Sequence, residues 1–384
     1  MKKIPYGRQS INEEDINEVV KVLQSDFLTQ GPKVKEFEIA FASYVGSKFA
    51  VAVSNGTAAL HLSAMVLGTK KGDKIITTPI TFAASANCIK YCDAEIEFVD
   101  IEENTLLLDI EKLEQMLKKS PMGTYAGIVS VDFSGLPVNL ERLKKVAKDY
   151  NLWIIQDACH SPGGYFIDSN NELNKCGNNQ YANLSIFSFH PVKHIACGEG
   201  GMITTNDEKL YQRLLNLRSH GIQQDHALNK FNHGVWYYEM QELGYNYRLT
   251  DFQAALGISQ VKRANVNIEK RKQIAKKYFD AFENKKFIIK QSGIVEGHAY
   301  HLYIIEVENR NDLINYLREK NIFCQVHYIP LHLMPYYRDL GWKEGDFPIA
   351  ENYYQRGLSI PIFPLLTSEE QDYIIKSICH FYNE

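Results

Sequence analysis

Short apolar runs alternate with amphipathic stretches through the first two thirds of the chain. KFAVAVSNGTAALHLSAMVLG reads as strand, tight loop and helix, and KIITTPITFAASANCIKYC repeats the theme before the strand-like EIEFVDI. YAGIVSVDFSG, LWIIQDA and LSIFSFHP are further apolar runs bounded by polar or turn residues, and the helical text NLERLKKVAKDYN separates two of them. Strands alternating with helices predict an α/β architecture, a mostly parallel sheet covered on both faces. Ahead of this pattern, SINEEDINEVVKVL and the text after FLTQGPK read as two amphipathic helices. Ser10 is the expected N-cap of the first, with Glu13 three residues on completing a capping box, and Gly31-Pro32 punctuate the break. From about Leu249 the pattern changes. One long helical text runs from Thr250 to Lys285, followed by strand-like HLYIIEVE, helical RNDLINYLREKN and strand-like IFCQVHYIP. The expected organisation is a large domain over residues 1–248 and a smaller α+β domain over 249–384.

Composition narrows the function classes. The 42 basic and 46 acidic residues give a net charge of −4, without the positive excess of a nucleic-acid binder. MKK is followed by proline and polar residues, so no signal peptide is expected. No apolar run approaches the length needed to span a bilayer. A cytoplasmic protein without nucleic-acid or membrane partners is therefore expected. The seven cysteines are scattered and form no CxxC, which reads as free thiols rather than disulfides or a metal site.

In open α/β sheets ligands gather beyond the carboxyl ends of the strands, so polar residues directly after apolar runs are the candidates. In AVAVSNGTAAL, Gly56 and Thr57 open a helix whose N–H groups suit a phosphate; a turn capped by Ser54 or Asn55 reads the same way. Asp157 ends the run LWIIQD, and His160 follows it. A carboxylate at a buried strand end needs a partner; it is either an N-cap or the holder of a proton on a heteroaromatic nitrogen. Ser188 and Lys193 follow LSIF and precede CGEGG. A loop lysine is ordinarily solvated, but this one has Asp157, Ser188 and a glycine-rich sequel for company. Phe82, after IITTPIT, is either a core residue or a flat ring over a flat cofactor. Pyridoxal 5′-phosphate meets each demand: a lysine for a Schiff base, a carboxylate for the pyridine nitrogen, and donors for a phosphate. Asp157 and Lys193 lie far enough apart for one strand–helix excursion between neighbouring strand ends.

SNGTAAL, QDACH, SFHPVKH with GEGG, RSHGI, LGYNYRLTDFQAALG and VHYIPLH occur in order along nearly the whole chain. As a set they resemble the DegT/DnrJ/StrS sugar-nucleotide aminotransferases, pyridoxal phosphate enzymes of fold type I. The resemblance implies that Lys193 forms the Schiff base, that Asp157 partners the pyridine nitrogen and that His160 lies near the ring. It implies Gly56, Thr57 and Ser188 as phosphate ligands and Phe82 as the stacking aromatic. Asn246 resembles the residue that reaches the cofactor phosphate of the neighbouring subunit, implying a homodimer with shared active sites. FLTQGPKVKEFE, SFHPVKHIACGEGGM and VHYIPLHLMPYYR look most similar to the pseudaminic acid branch. That branch moves the amino group of L-glutamate to C4 of a UDP-linked 4-keto-6-deoxy N-acetylated sugar. The alternatives are the same chemistry on a dTDP- or GDP-linked sugar, and a non-catalytic pyridoxal phosphate-binding regulator. Tyr6, Thr29, Arg248, His327 and Tyr328 are sugar-side candidates by position, with lobe packing as the rival reading for Tyr6 and Tyr328 and a surface ion pair for Arg248. His190 and His194, flanking Lys193, have no assigned job.

Overall fold

The computed structural model describes residues 3–223, 227, 229–231 and 233–384. Its centre is a seven-stranded sheet in the order Phe49–Val53, Gly201–Thr205, Leu184–Ser188, Trp153–Asp157, Gly127–Val131, Lys74–Thr77, Glu95–Phe98. Gly201–Thr205 runs antiparallel to both of its neighbours, and the other pairings are parallel. The near-continuous apolar text of these strands follows from burial on both faces: Val51, Val53, Ile155, Ile186 and Ile203 are fully enclosed. A second, three-stranded antiparallel sheet orders Ile288–Gln291, Tyr303–Val307 and Gly357–Ile360. It has its own apolar core with Tyr278, Phe282, Leu313 and Ile374. Among the described residues no helix is long and apolar enough to cross a membrane.

Four local expectations are corrected by tertiary partners. The first helix spans Glu13–Leu23, and its N-cap is Asn12 rather than Ser10, with Asp15 in the place expected for Glu13. Asp15 is fully buried and bound by Gln260 and Arg263, while the Ser10 carbonyl accepts from the same two side chains. That contact, absent from local sequence, sets the register. The long helix expected from Thr250 is two helices, Asp251–Lys262 and Ala264–Phe282, broken at Arg263, whose guanidinium is drawn to Ser10 and Asp15. Asp251–Lys262 lies against the N-terminal helices Glu13–Leu23 and Pro32–Val45. Between Asp157 and Leu184 there is no helix but a short hairpin, Tyr165–Ile167 with Leu173–Lys175. Of IFCQVHYIP, Ile322–Phe323 alone forms a strand, pairing with Ile4–Pro5. The rest turns back toward the large sheet, and Tyr328 packs on Phe133.

Candidate active site

Register alone brings the candidates together. Gly201 pairs with Val53 on one side and Ser188 on the other, and Asp157 pairs with Ile186 on the next strand. The carboxyl ends of Phe49–Val53, Leu184–Ser188 and Trp153–Asp157 therefore open at one edge of the sheet. Beyond Val53, Asn55 caps the helix Gly56–Val66: its side chain takes the Ala58 N–H at 2.8 Å and its carbonyl takes that of Ala59. The N–H groups of Gly56 and Thr57 are left without a protein acceptor among the described residues, as expected at a helix head. A Cβ on Gly56 would stand 3.0 Å from the Ser188 Cβ and 3.6 Å from Cys159 Sγ. Glycine there keeps the helix head close to Ser188. Backbone N–H groups, the Thr57 side chain and the Ser188 hydroxyl make a cradle suited to a phosphate.

Asp157 is buried, and its position is fixed twice. One carboxylate oxygen accepts from Ser85 Oγ at 2.7 Å and the other from the Cys159 N–H at 3.1 Å. Ser85 in turn lies 2.8 Å from Thr81 Oγ1. Beneath it, the Asp132 N–H donates to the Asp157 carbonyl. The buried Asp132 carboxylate accepts from Gln156, Ser161 and the Val138 N–H. Burial outweighs those donors and pushes the Asp132 carboxyl up to about 6.

Lys193 is partly buried, and its Nζ lies 3.4 Å from His301 Nε2. Burial lowers its pKa, with Arg271 adding to the effect and Cys159 and Asp157 opposing it. The His160 ring packs on His301 at 4.2 Å between centroids, and its Nε2 is 3.2 Å from the Tyr328 hydroxyl. Burial, reinforced by Lys193, holds His160 and His301 well below the ordinary imidazole range, so both are neutral at neutral pH. Nδ1 of each is buried without a hydrogen-bond partner among the described residues. Tyr6 and His327 complete this wall, 5.2 Å apart by ring centroid, with His327 Nδ1 2.9 Å from Ser359 Oγ.

Phe82 is 62% exposed, beside Tyr328 at 6.2 Å, as a ring at the rim of the site. His194 is buried and its Nε2–H donates to the Ala299 carbonyl at 2.8 Å, so it ties the lysine loop to the C-terminal lobe. His190 is exposed. Among the described residues, Thr29, Asn246 and Arg248 lie apart from the Lys193 cluster. Thr29 is exposed and bridges to Thr250, and Arg248 lines a groove with Gln30, Lys35 and Arg218. Asn246 is exposed and bridges to Ser219, and its chain neighbours Tyr245 and Tyr247 stack on each other. The carbonyl of the next residue, Tyr247, accepts the Ser54 N–H, so Asn246 sits beside the Ser54–Gly56 turn of its own chain.

The sequence pattern did not single out His301, Arg271, Ser85 or Phe133. Arg271 is fully buried and donates to the carbonyls of Tyr300, His301 and Ile362, while burial lowers it to about 10, still charged at neutral pH. The available signal was HAYHLY, two histidines immediately before an apolar strand.

Comparison with known proteins bears on what this edge does. A UDP-4-amino-4,6-dideoxy-N-acetyl-β-L-altrosamine transaminase of Campylobacter jejuni is 38% identical over 365 residues, 93% of this chain and 92% of that one. GDP-perosamine synthase of Escherichia coli O157:H7 is 33% identical, covering both chains in full. Among solved structures, the putative sugar aminotransferase Spr1654 of Streptococcus pneumoniae in its PLP form superposes with a TM-score of 0.88 at 29% identity, over 98% of this chain and 97% of that one. The profile of the DegT/DnrJ/EryC1/StrS aminotransferase family matches residues 9–379, and the chain belongs to that family.

Proposed function

We propose that this pyridoxal phosphate-dependent sugar aminotransferase moves the amino group of L-glutamate to C4 of a UDP-linked 4-keto-6-deoxy N-acetylated sugar, as in pseudaminic acid biosynthesis. The observation that carries the cofactor's place is the shared sheet edge. A lysine amine, a doubly anchored carboxylate and a helix head with free N–H groups converge there. These residues fit the cofactor: Gly56, Thr57 and Ser188 would hold its phosphate, Asp157 its pyridine nitrogen, Phe82 and His160 its ring. Bound there, the cofactor supplies an electron sink and a carrier for the amino group.

The chain's own residues do the rest. Lys193 Nζ is the base that takes the proton from the donor carbon and returns one to the sugar carbon. Its lowered pKa suits that work, since a free lysine near 10.4 is almost wholly charged at neutral pH. Asp157 holds a proton at the pyridine nitrogen, and Ser85 and the Cys159 N–H keep its carboxylate aimed. The neutral His160, joined to Tyr328, adds no charge beside the lysine. His327 and Tyr328 from the C-terminal lobe, and Tyr6 from the N-terminal segment, would face the sugar. Asn246 would reach the cofactor phosphate of the neighbouring subunit in a cytoplasmic homodimer, with Thr29 and Arg248 as sugar-side candidates.

The UDP reading is favoured by the Campylobacter transaminase, while the perosamine synthase keeps a GDP-linked sugar as the rival. Purified protein with glutamate and a panel of UDP-, GDP- and dTDP-4-keto-6-deoxy sugars, read by product mass, decides between them. Amination of the UDP sugar is expected. Amination of a GDP- or dTDP-sugar alone would replace the substrate and leave amino transfer standing.

A further inference from the structure

His301 lies 108 positions from Lys193 in the chain, yet its Nε2 stands within hydrogen-bonding distance of the lysine amine, at 3.4 Å. It comes from the segment that leads into the C-terminal sheet. That segment is clamped from several sides. Arg271 donates to the carbonyls of Tyr300 and His301, the Leu302 N–H donates to the Ser134 carbonyl, and the Ala299 N–H to that of Gly135. Gly135 has φ +101°, and a Cβ there would stand 3.0 Å from the backbone nitrogens of Tyr300 and His301. The ring itself is held by His160 at 4.2 Å and His194 at 5.7 Å. His301 is thus a fixed group presented to a flexible side chain.

Its tautomer follows from counting partners. Nδ1 is buried and, among the described residues, has none. A proton on Nδ1 would leave a buried N–H without an acceptor, the rarer and costlier kind of orphan. A proton on Nε2 leaves Nδ1 as a bare lone pair and makes Nε2–H a donor. Among the described residues its acceptor is Lys193 Nζ, which accepts only as the uncharged amine. The two neighbouring histidines share this form. His194 donates from Nε2 to the Ala299 carbonyl, and His298 accepts the Tyr300 N–H at Nδ1, which leaves its proton on Nε2.

We propose that His301 is a positioning residue for Lys193, donating its Nε2–H to the lone pair of the free amine and so holding the lysine uncharged whenever it is not joined to cofactor. The proposal deepens the amino-transfer reading and rests on it for its purpose. The charged and titratable groups facing the amine are Asp157, Cys159 and His160 from one strand end, His194 from its own loop, Arg271 from the helix Ala264–Phe282, and His327 from the C-terminal lobe. Asp157 and Cys159 favour the charged lysine; burial and Arg271 oppose it. His301 adds a hydrogen bond that one protonation state alone can use. Because it is carried by the C-terminal lobe, the reactivity of the lysine depends on how that lobe is seated.

The test uses cofactor-free full-length protein and an amine-acetylating reagent over a pH series, with labelling of the Lys193 peptide read by mass spectrometry. His301→Phe keeps a ring and removes the donor. Its labelling midpoint is expected to rise by about one pH unit, roughly tenfold less labelling at any pH below both midpoints. His301→Asn, which restores an N–H donor, is expected to recover most of that shift. A merely structural role would lower the unfolding temperature without moving the midpoint. An unmoved or lowered midpoint in a folded His301→Phe protein overturns the proposal. If that variant does not fold, long-range nitrogen–proton NMR of the wild-type imidazoles decides: protonated Nε2 on His301 supports the proposal, protonated Nδ1 overturns it. Neither readout needs turnover. Failure here leaves amino transfer standing, whereas the absence of amino transfer from glutamate to every keto sugar of the panel by the wild-type protein would sink that reading by itself.

Discussion

Adding one methyl group at Gly201 tests whether the turn Asn55–Gly56 seats the cofactor phosphate. Gly201 starts the antiparallel strand, pairing with Val53 and Ser188 at once. A Cβ there would meet the Asn55 carbonyl oxygen at 2.4 Å, its carbon at 2.5 Å and the Gly56 nitrogen at 3.0 Å. All three are backbone atoms, so no rotamer change relieves the clash. Ordinary contact begins near ~3.5 Å, so the two segments must part by about 1 Å. The strand is pinned by a ladder on each side, whereas the turn is held on one side, so the turn moves. Overpacking of this kind costs about 1–3 kcal/mol. If the cost falls on the bound turn, Gly201→Ala weakens pyridoxal phosphate binding roughly five- to hundredfold. The assay is a titration of cofactor-free protein with pyridoxal phosphate followed by fluorescence, beside thermal unfolding of the same cofactor-free samples. Unchanged cofactor affinity together with a lowered unfolding temperature would refute the reasoning. The strain would then be spread elsewhere, and the phosphate would not sit on this turn.

Lys193→Ala is expected to abolish glutamate-dependent amino transfer in single-turnover measurements while circular dichroism stays unchanged; retained turnover would falsify the base assignment. Ser85→Ala removes a 2.7 Å hydrogen bond from the buried Asp157, and a loss of about 1–3 kcal/mol predicts kcat lowered roughly five- to hundredfold. An unchanged kcat would mean that the Cys159 N–H holds the carboxylate unaided. Asp132 has a folded pKa of about 6 against ~3.9 unfolded, so between those values the folded chain binds more protons. Its contribution is fully present below about pH 4 and is lost as pH rises to about 6, an effect of up to about 3 kcal/mol. The stability gap between wild type and Asp132→Asn, from urea unfolding, should change across that window; a constant gap would contradict it. Arg271→Met leaves three carbonyls without their donor and is expected to cost at least about 3 kcal/mol, seen as a lower unfolding temperature and faster proteolysis around Tyr300.

Much of this protein is decided by short-range text. Alternating apolar runs and amphipathic stretches specify strands covered by helices, because burial on both faces demands apolar side chains at successive positions. That Gly56, Asp157, Ser188 and Lys193 lie at or beyond strand ends, where a parallel sheet exposes polar groups, was legible because each follows such a run. What sequence left undecided depends on groups hundreds of positions apart. The register of the first helix is set by Arg263 and Gln260 meeting Asp15, and the break in the helical text after Lys262 by the same contact. No local propensity encodes either, since a capping box at Ser10 and one at Asn12 are nearly equivalent until a partner arrives. The histidine beside Lys193 is the clearest case. His301 carries no local signal beyond two histidines before a strand, and it meets the lysine only once Arg271 and Gly135 have fixed its backbone. The chain's text places the candidate groups at one edge, and the packing of the C-terminal lobe decides what surrounds the amine.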